Sequence, residues 1–373
     1  MIRKIAICGG GTSLGHALTA VLAANPENEV RVWTRQPHRW GTKVRAIYLD
    51  IAEIGGAPAV VSAEPGETVA GAELVLVCLP FPARRAALKQ MAPYLMPTAW
   101  VGGIPGFAGF DWEARAVFGP GTRLFGLQRV PYVRKTISYG EAVWISGIRP
   151  RLFLAALPSN QTAELAQRIE ELLSIPTTAL STYLPVSLSA SNAIFHPARL
   201  LAAFAEADPF APHERKAQFY EEWDDASSVA YIGMDEDVQR IARALDVSPS
   251  EAVPIMEHFH ASTIGEMTDR IRGISALRDR ALPVTGSDGN YRLDPASPYV
   301  TEDACFALVV LRSMADLARV ETPWLDRGVR WAESVTGRRF LRNGKIDGPD
   351  VLGLPTPSNC CLPDAFSLVQ GAS

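Results

Sequence analysis

The chain opens on a short apolar run, Ile5-Ala6-Ile7-Cys8, then Gly9-Gly10-Gly11-Thr12-Ser13-Leu14-Gly15, then apolar residues at helical spacing as far as Ala24. A wholly apolar run closed by glycines reads as a strand buried on both faces, and the change of period after it marks a helix. The alternation recurs, with strands expected at 4–8, 30–33, 74–79, 99–102, 124–127, 142–146 and 152–157 and a closing helix at 160–174. This is the pattern of an α/β fold with a Rossmann-type doubly wound parallel sheet. Beyond about residue 183 strand-like alternation gives way to helical stripes. Met234, Val238, Ile241 and Leu245 form one, and Phe306, Val310, Met314 and Leu317 another. A C-terminal all-α domain is therefore expected, dividing the chain at 1–182 and 183–373. Residues 286–298 read as a loop, and 344–373, rich in proline and glycine, as an irregular tail.

Two positions stand out in the second half. Asn192 and His196 lie four apart, on one face of a helix. Pro197 follows, and a proline inside a helix removes a hydrogen bond and crowds the carbonyl four residues back, so the chain is expected to bend or restart at 193–196. An amide and an imidazole at such a bend mark a candidate site.

Composition narrows the function. At 373 residues, 47% hydrophobic and 20% charged, the chain has the make-up of a globular protein of about two domains. A net charge of −4 offers no basic footprint for nucleic acid. No apolar run approaches the ~20 residues of a membrane span, and the first strand begins almost at Met1, so a cytoplasmic protein without membrane association is expected. The five cysteines lack metal-ligand spacing and are read as free, buried thiols, with no metal.

The glycine run has the context of a dinucleotide site: a strand, a turn that lets a pyrophosphate approach the backbone, and a helix N-terminus. The usual third glycine would fall at Leu14, so the turn carries an extra residue and its register is open. Gly9, Gly11, Thr12, Ser13 and Leu14 are the candidate phosphate-side residues. The second strand ends Trp33-Thr34-Arg35 in place of an acid, with Arg39 and Lys43 following. A hydroxyl and cations suit the 2′-phosphate of NADP, leaving NAD as the other choice. Leu79 and Pro80, where a central strand ends, are expected to flank the cofactor.

Several stretches together resemble the octopine/nopaline (opine) dehydrogenase family over most of the chain's length. They are the Gly-Gly-Gly turn before His16-Ala17-Leu18, Val77-Cys78-Leu79-Pro80, Gly103-Ile104-Pro105-Gly106 and Leu127-Gln128-Arg129-Val130-Pro131-Tyr132 with Arg134. In the second half, Leu188-Ser189-Ala190-Ser191-Asn192 through His196-Pro197, Phe219-Tyr220-Glu221-Glu222, Met234-Asp235-Glu236-Asp237 and Tyr299-Val300-Thr301-Glu302-Asp303 follow in family order. The resemblance implies an enzyme that condenses the amine of an amino acid with a 2-oxo acid and reduces the imine with a nicotinamide hydride. It implies His196 as general acid/base, Asp303 as the carboxylate orienting it, and Asn192 as a partner of substrate or of the ring. Imidazole titrates near neutral pH, which suits those proton transfers.

Substrates with two carboxylates call for cations, and Arg129, Arg134 and Arg199 are the candidates. Arg129 stands where the family commonly has threonine, and Pro298 where it commonly has arginine, so carboxylate recognition is expected to have moved, to Arg129 or Arg292. Two other functions remain open on sequence: a simple NADP-dependent 2-oxo or 3-oxo acid reductase, and a non-catalytic NADP-sensing protein. A homodimer is expected from the frequency of two-fold dimers.

Overall fold

The computed structural model describes residues 3–48, 52–189, 192–204 and 208–361. Among the described residues the chain divides into two compact units, 3–187 and 188–361. The division falls five residues beyond the expected 182/183 because the segment after residue 182 packs into the first unit. Tyr183 donates its hydroxyl to the Gly106 carbonyl at 3.1 Å, and Val186 is wholly buried in that unit's core.

The first unit alternates β1 (Lys4–Cys8), α1 (Ser13–Ala23), β2 (Glu29–Trp33), β3 (Val44–Tyr48), β4 (Ala52–Gly56), β5 (Val60–Ser62), α2 (Pro65–Val69), β6 (Leu74–Val77), α3 (Phe81–Met91), β7 (Trp100–Gly103) and α4 (Phe110–Phe118). It continues with β8 (Arg123–Leu127), β9 (Tyr132–Ser138), β10 (Ala142–Ile148), β11 (Leu152–Leu157), α5 (Thr162–Leu173), β12 (Thr177–Ala179) and α6 (Leu184–Ser187). Eight strands form one sheet in the order β12-β11-β8-β7-β6-β1-β2-β5. All pairs are parallel except β11 with β8. The chain leaves β1 for β2 on one side and reaches β6 on the other, which makes the carboxyl ends of β1 and β6 the switch point where such sheets bind ligands. The buried runs of β1 and β6 follow from helices covering both faces.

A second sheet, β4-β3-β10-β9, was not foreseen as a layer. Only β10 was expected, and β4, reading Ala-Glu-Ile-Gly-Gly, has almost no apolar content to announce it. This sheet brings the turn between β9 and β10 onto the glycine run: Gly140 N–H donates to the His16 ring, and Ser13 and Thr136 hydroxyls pair at 2.8 Å.

The second unit is mainly helical, as expected: α7 (Asn192–Phe204), α8 (Asp225–Ala244), α9 (Ile255–His258), α10 (Ile264–Arg272), a π-helical segment (Tyr299–Leu308), α11 (Val309–Ala318) and α12 (Pro323–Thr336). Two small hairpins were not foreseen, β13 (Val284–Thr285) with β14 (Arg292–Leu293) and β15 (Leu341–Arg342) with β16 (Lys345–Ile346). β13 ends just before the expected loop at 286–298, and β14 lies within it. The chain does not restart at 193–196: α7 runs from Asn192 to Phe204 with Pro197 inside it. Pro197 forfeits the bond to the Ala193 carbonyl, but Ile194, Phe195, Ala198, Leu200 and Leu201 are all buried, and that packing outweighs one missing bond. The tail beyond residue 361 lies outside the described residues. Cys8, Cys78 and Cys305 are buried free thiols; Cys361, against expectation, is exposed in a turn.

Candidate dinucleotide and acid–base sites

Thr12 closes the glycine run as the N-cap of α1, its hydroxyl accepting from Gly15 N–H at 3.0 Å and lying 2.9 Å from the Gly9 carbonyl and 3.0 Å from that of Cys78. The hydroxyl thereby ties the ends of β1 and β6 to the helix start. Gly9 has φ +100°, and a Cβ there would lie 2.8 Å from the Cys78 carbonyl oxygen. The register left open by the sequence is settled by Gly15: a Cβ on it would collide with the Gly9 carbonyl and the Gly10 backbone. Gly15 therefore does the close-packing that the third glycine of the common pattern does, and it was not among the expected cofactor residues. Leu14 buries its side chain in the core, so only its backbone faces the turn. The N–H groups of Gly11, Ser13 and Leu14 take no partner among the described residues. Free donors at a helix N-terminus fit a pyrophosphate.

Around this turn lies a roof of side chains. His16 is wholly buried; its Nε2 accepts from Gly140 N–H at 2.7 Å, so Nδ1 carries the hydrogen that bonds the Thr12 carbonyl, also at 2.7 Å. Burial lowers its pKa, and the neutral ring stacks on Trp40 with centroids 4.8 Å apart. Thr34 is buried and its hydroxyl meets that of Tyr139 at 3.0 Å, while the Arg39 guanidinium lies 4.4 Å above the Tyr139 ring. Arg35 is exposed at the end of β2. Leu79 lies against Gly9, and exposed Pro80 caps α3. Gly9, Gly11, Thr12, Ser13, Thr34 and Leu79 are thus gathered at one edge of the sheet; His16, Trp40 and Tyr139 join them without having been singled out.

In the second unit, His196 and Asp303, far apart in sequence, meet with Nδ1 and Oδ2 at 2.7 Å, and the other ring nitrogen lies 2.8 Å from the Tyr220 hydroxyl. All three side chains are buried. An ionised carboxylate only accepts, so Nδ1–H donates to Asp303 and the neutral ring accepts at Nε2 from Tyr220. Burial pushes the Asp303 pKa up, opposed by the attraction and hydrogen bond of His196. The imidazole is walled edge-on by Tyr299 at 4.7 Å and Phe219 at 5.3 Å, and these two rings stack on each other. Glu302, next to Asp303, is raised to about 7 by burial and then by its neighbour's charge. Tyr299, Glu302 and Asp303 all lie on the π-helical segment, a geometry that is rare and concentrates at functional sites.

The other expected site residues fall elsewhere. Asn192 is exposed at the first position of α7, and both His196 nitrogens have other partners, so holding the ring is the work of Asp303 and Tyr220. Arg199 is buried and donates to the carbonyls of Phe219 and Glu222, to Asp224 and to Ser227, which commits it to fixing the 219–227 segment beside Tyr220. Arg129 lies between β8 and β9 and Arg134 on β9, both in the first unit and half-buried. Arg292 is exposed and donates to the Phe210 carbonyl. Tyr220 was named only within a longer stretch; its signal, an aromatic hydroxyl beside Phe219, does not distinguish it from core tyrosines.

An α/β unit built on a glycine turn, followed by a helical unit that buries a histidine–aspartate pair, is the architecture of the two-domain nicotinamide-dependent dehydrogenases. Residues 179–336 match the family model of the NAD/NADP octopine/nopaline dehydrogenase alpha-helical domain. The octopine dehydrogenase of Pecten maximus is 25% identical over 382 residues, covering 94% of each chain. A solved octopine dehydrogenase with NADH and L-arginine is similar with a TM-score of 0.87 at 22% identity, over 100% of this chain and 98% of the other. Yersinopine dehydrogenase with NADP+ bound gives 0.67 at 15% identity, over 97% of both. Among the described residues no helix is long and apolar enough to cross a membrane.

Proposed function

We propose that this protein is an opine-type dehydrogenase, joining the amine of an amino acid to a 2-oxo acid and reducing the resulting imine. The observation that carries the reading is the buried Asp303–His196–Tyr220 set in a helical unit of the octopine/nopaline dehydrogenase type. A bound NADPH, or NADH, supplies the hydride that the imine carbon receives. The free N–H groups of Gly11, Ser13 and Leu14 would hold its pyrophosphate. Thr34 and Arg35, with no acid beside them at the end of β2, favour the 2′-phosphate of NADP.

His196 moves the protons. As the amine adds to the 2-oxo carbon, Nε2 takes the proton the nitrogen loses. Nε2 returns that proton to the former carbonyl oxygen, giving the carbinolamine hydroxyl. When the C–O bond breaks, the same Nε2, reprotonated from solvent, gives the hydroxyl a second proton, so that it leaves as water and the nitrogen is left as the iminium. Through both steps Nδ1–H stays on Asp303, so the carboxylate stabilises the ring while it is charged and keeps Nε2 as the working atom. The Tyr220 hydroxyl marks the line along which a substrate oxygen or nitrogen meets Nε2. A cytoplasmic location and a homodimer go with this proposal, the second resting on the frequency of two-fold assemblies.

The test is oxidation of NADPH and of NADH over a grid of 2-oxo acids, with and without each amino acid. Oxidation is expected only when both partners are present, and the grid then names the pair. A rate that needs the 2-oxo acid alone would make the protein a simple carbonyl reductase. Cofactor binding with no turnover for any pair would make it a sensor.

A further inference from the structure

The acid–base set needs a cation close by if its substrate is a carboxylate, and the arginines singled out from sequence in the helical unit are occupied. Arg199 is bound to Asp224, Ser227 and two carbonyls, and Arg292 to the Phe210 carbonyl. Arg272 donates to the Trp223 carbonyl and Arg215 to Glu222. Arg280 differs from all of these. Its backbone is fixed beside the site: its carbonyl accepts from Phe219 N–H at 2.6 Å, Gln218 and Ala281 form an antiparallel bridge, and Leu282 N–H reaches the Ala217 carbonyl at 2.8 Å.

Its half-buried guanidinium lies near Tyr299, the ring that stands edge-on to His196, and its charge opposes the upward push of burial on that hydroxyl. The same charge acts on Tyr220, the hydroxyl bonded to Nε2, where it opposes the upward push of burial. Among the described residues no carboxylate lies within ion-pair distance of Arg280, and its Nε is buried with no hydrogen-bond partner. A guanidinium held among aromatic rings, one buried N–H unmet and no counter-ion beside it, is strongly favourable toward a planar anion with two oxygens. It is costly left alone.

We propose that Arg280 holds the carboxylate of the 2-oxo acid, next to the His196 that works on its carbonyl. In such an acid the carboxylate is bonded directly to the reacting carbon, so its anchor must stand within one side chain of the acid–base group. Tyr299 and Tyr220 are the side chains that link Arg280 to His196 in this way. The inference rests on the reading of the protein as an opine-type dehydrogenase, but its first test does not use turnover.

The experiment is calorimetric titration of the NADPH-loaded protein with pyruvate and with pyruvamide, its uncharged counterpart, for wild type, Arg280→Met and Arg280→Lys. Wild type is expected to prefer pyruvate, and Arg280→Met to lose that preference with pyruvate binding weakened about 30-fold or more. Arg280→Lys, which keeps the charge without the fork, should fall between them and guards against misfolding of the methionine variant. Unchanged pyruvate preference in Arg280→Met, or no preference in wild type, overturns the assignment. Kinetics then separates the two substrates: with the active pair, Arg280→Met should raise KM for the 2-oxo acid and leave KM for the amine within about threefold. A rise confined to the amine would also overturn it. A wild type that prefers pyruvate but fails to require an amine leaves Arg280 standing while the opine reading falls.

Discussion

Both nitrogens of His196 are taken, and what each partner contributes can be separated by substitution. Asp303→Asn keeps the size of the side chain but turns an obligate acceptor into a group that can donate its amide to Nδ1. The ring's hydrogen then moves to Nε2, the wrong tautomer for accepting a proton there, and the stabilising charge is lost as well. kcat is expected to fall about 10²- to 10⁴-fold in Asp303→Asn and comparably in His196→Ala, with NADPH affinity within about twofold of wild type. Stopped-flow turnover beside fluorescence titration of NADPH checks this, and a wild-type kcat in either variant removes that residue from the mechanism. The histidine was legible from its place before a helical proline and from the surrounding motif. Asp303 became a candidate only through resemblance, since no local pattern reports that a residue 107 positions away will close to 2.7 Å. Asn192 shows the limit of helical spacing as evidence. Residues four apart do share a face, but the first position of a helix can stand in solvent while the next turn is buried.

At the scale of elements, the long parallel strands were legible because burial on both faces leaves a continuous apolar run, whereas β3, β4, β5, β9 and β12 were not. Those strands are short or carry charges on an open face, and β9 reads Tyr-Val-Arg-Lys-Thr-Ile-Ser. The second sheet is what brings Trp40 and Tyr139 to the glycine turn and to His16 of α1, so missing the strands also hid that cluster. The start of α4 was equally silent. Asp111 is buried in its first turn, and burial raises its pKa to about 7 against the pull of the backbone N–H groups at the helix start and of Arg115 and Arg84. Buried Arg84 donates to the Phe107 carbonyl of the preceding loop and lies 3.7 Å from Glu113. The folded protein therefore prefers Asp111 protonated, while the unfolded chain releases that proton near pH 4. Its stabilising contribution is complete below about pH 4 and is lost as pH rises through about 7. Three pH units correspond to an upper bound of roughly 4 kcal/mol. Urea midpoints of wild type should accordingly fall between pH 5 and pH 8, and Asp111→Asn should flatten that fall and be the more stable protein at pH 8. Parallel curves for the two proteins would place the pH dependence on other groups.

For the whole molecule, the two compact units predict that cofactor binding and proton transfer can be lost one at a time. The division into a nucleotide half and a helical half was legible from the change in hydrophobic period near residue 183, and its exact place was not, because Tyr183 and Val186 are apolar in either context and only packing assigns them. A ligand that binds the folded state at 100 times its Kd stabilises it by about 2.7 kcal/mol, so saturating NADPH should raise the unfolding temperature of the first unit measurably. Gly15→Ala should abolish that rise, since its methyl would collide with the Gly9 carbonyl and force the turn open. Arg35→Ala should diminish the rise with NADPH and leave that with NADH intact; an equal loss with both would end the 2′-phosphate assignment. His196→Ala should keep the full NADPH shift while losing turnover, because the histidine belongs to the other unit. If His196→Ala lost the shift too, or Gly15→Ala kept it, the turn and the histidine could not be doing the separate jobs that the fold gives them.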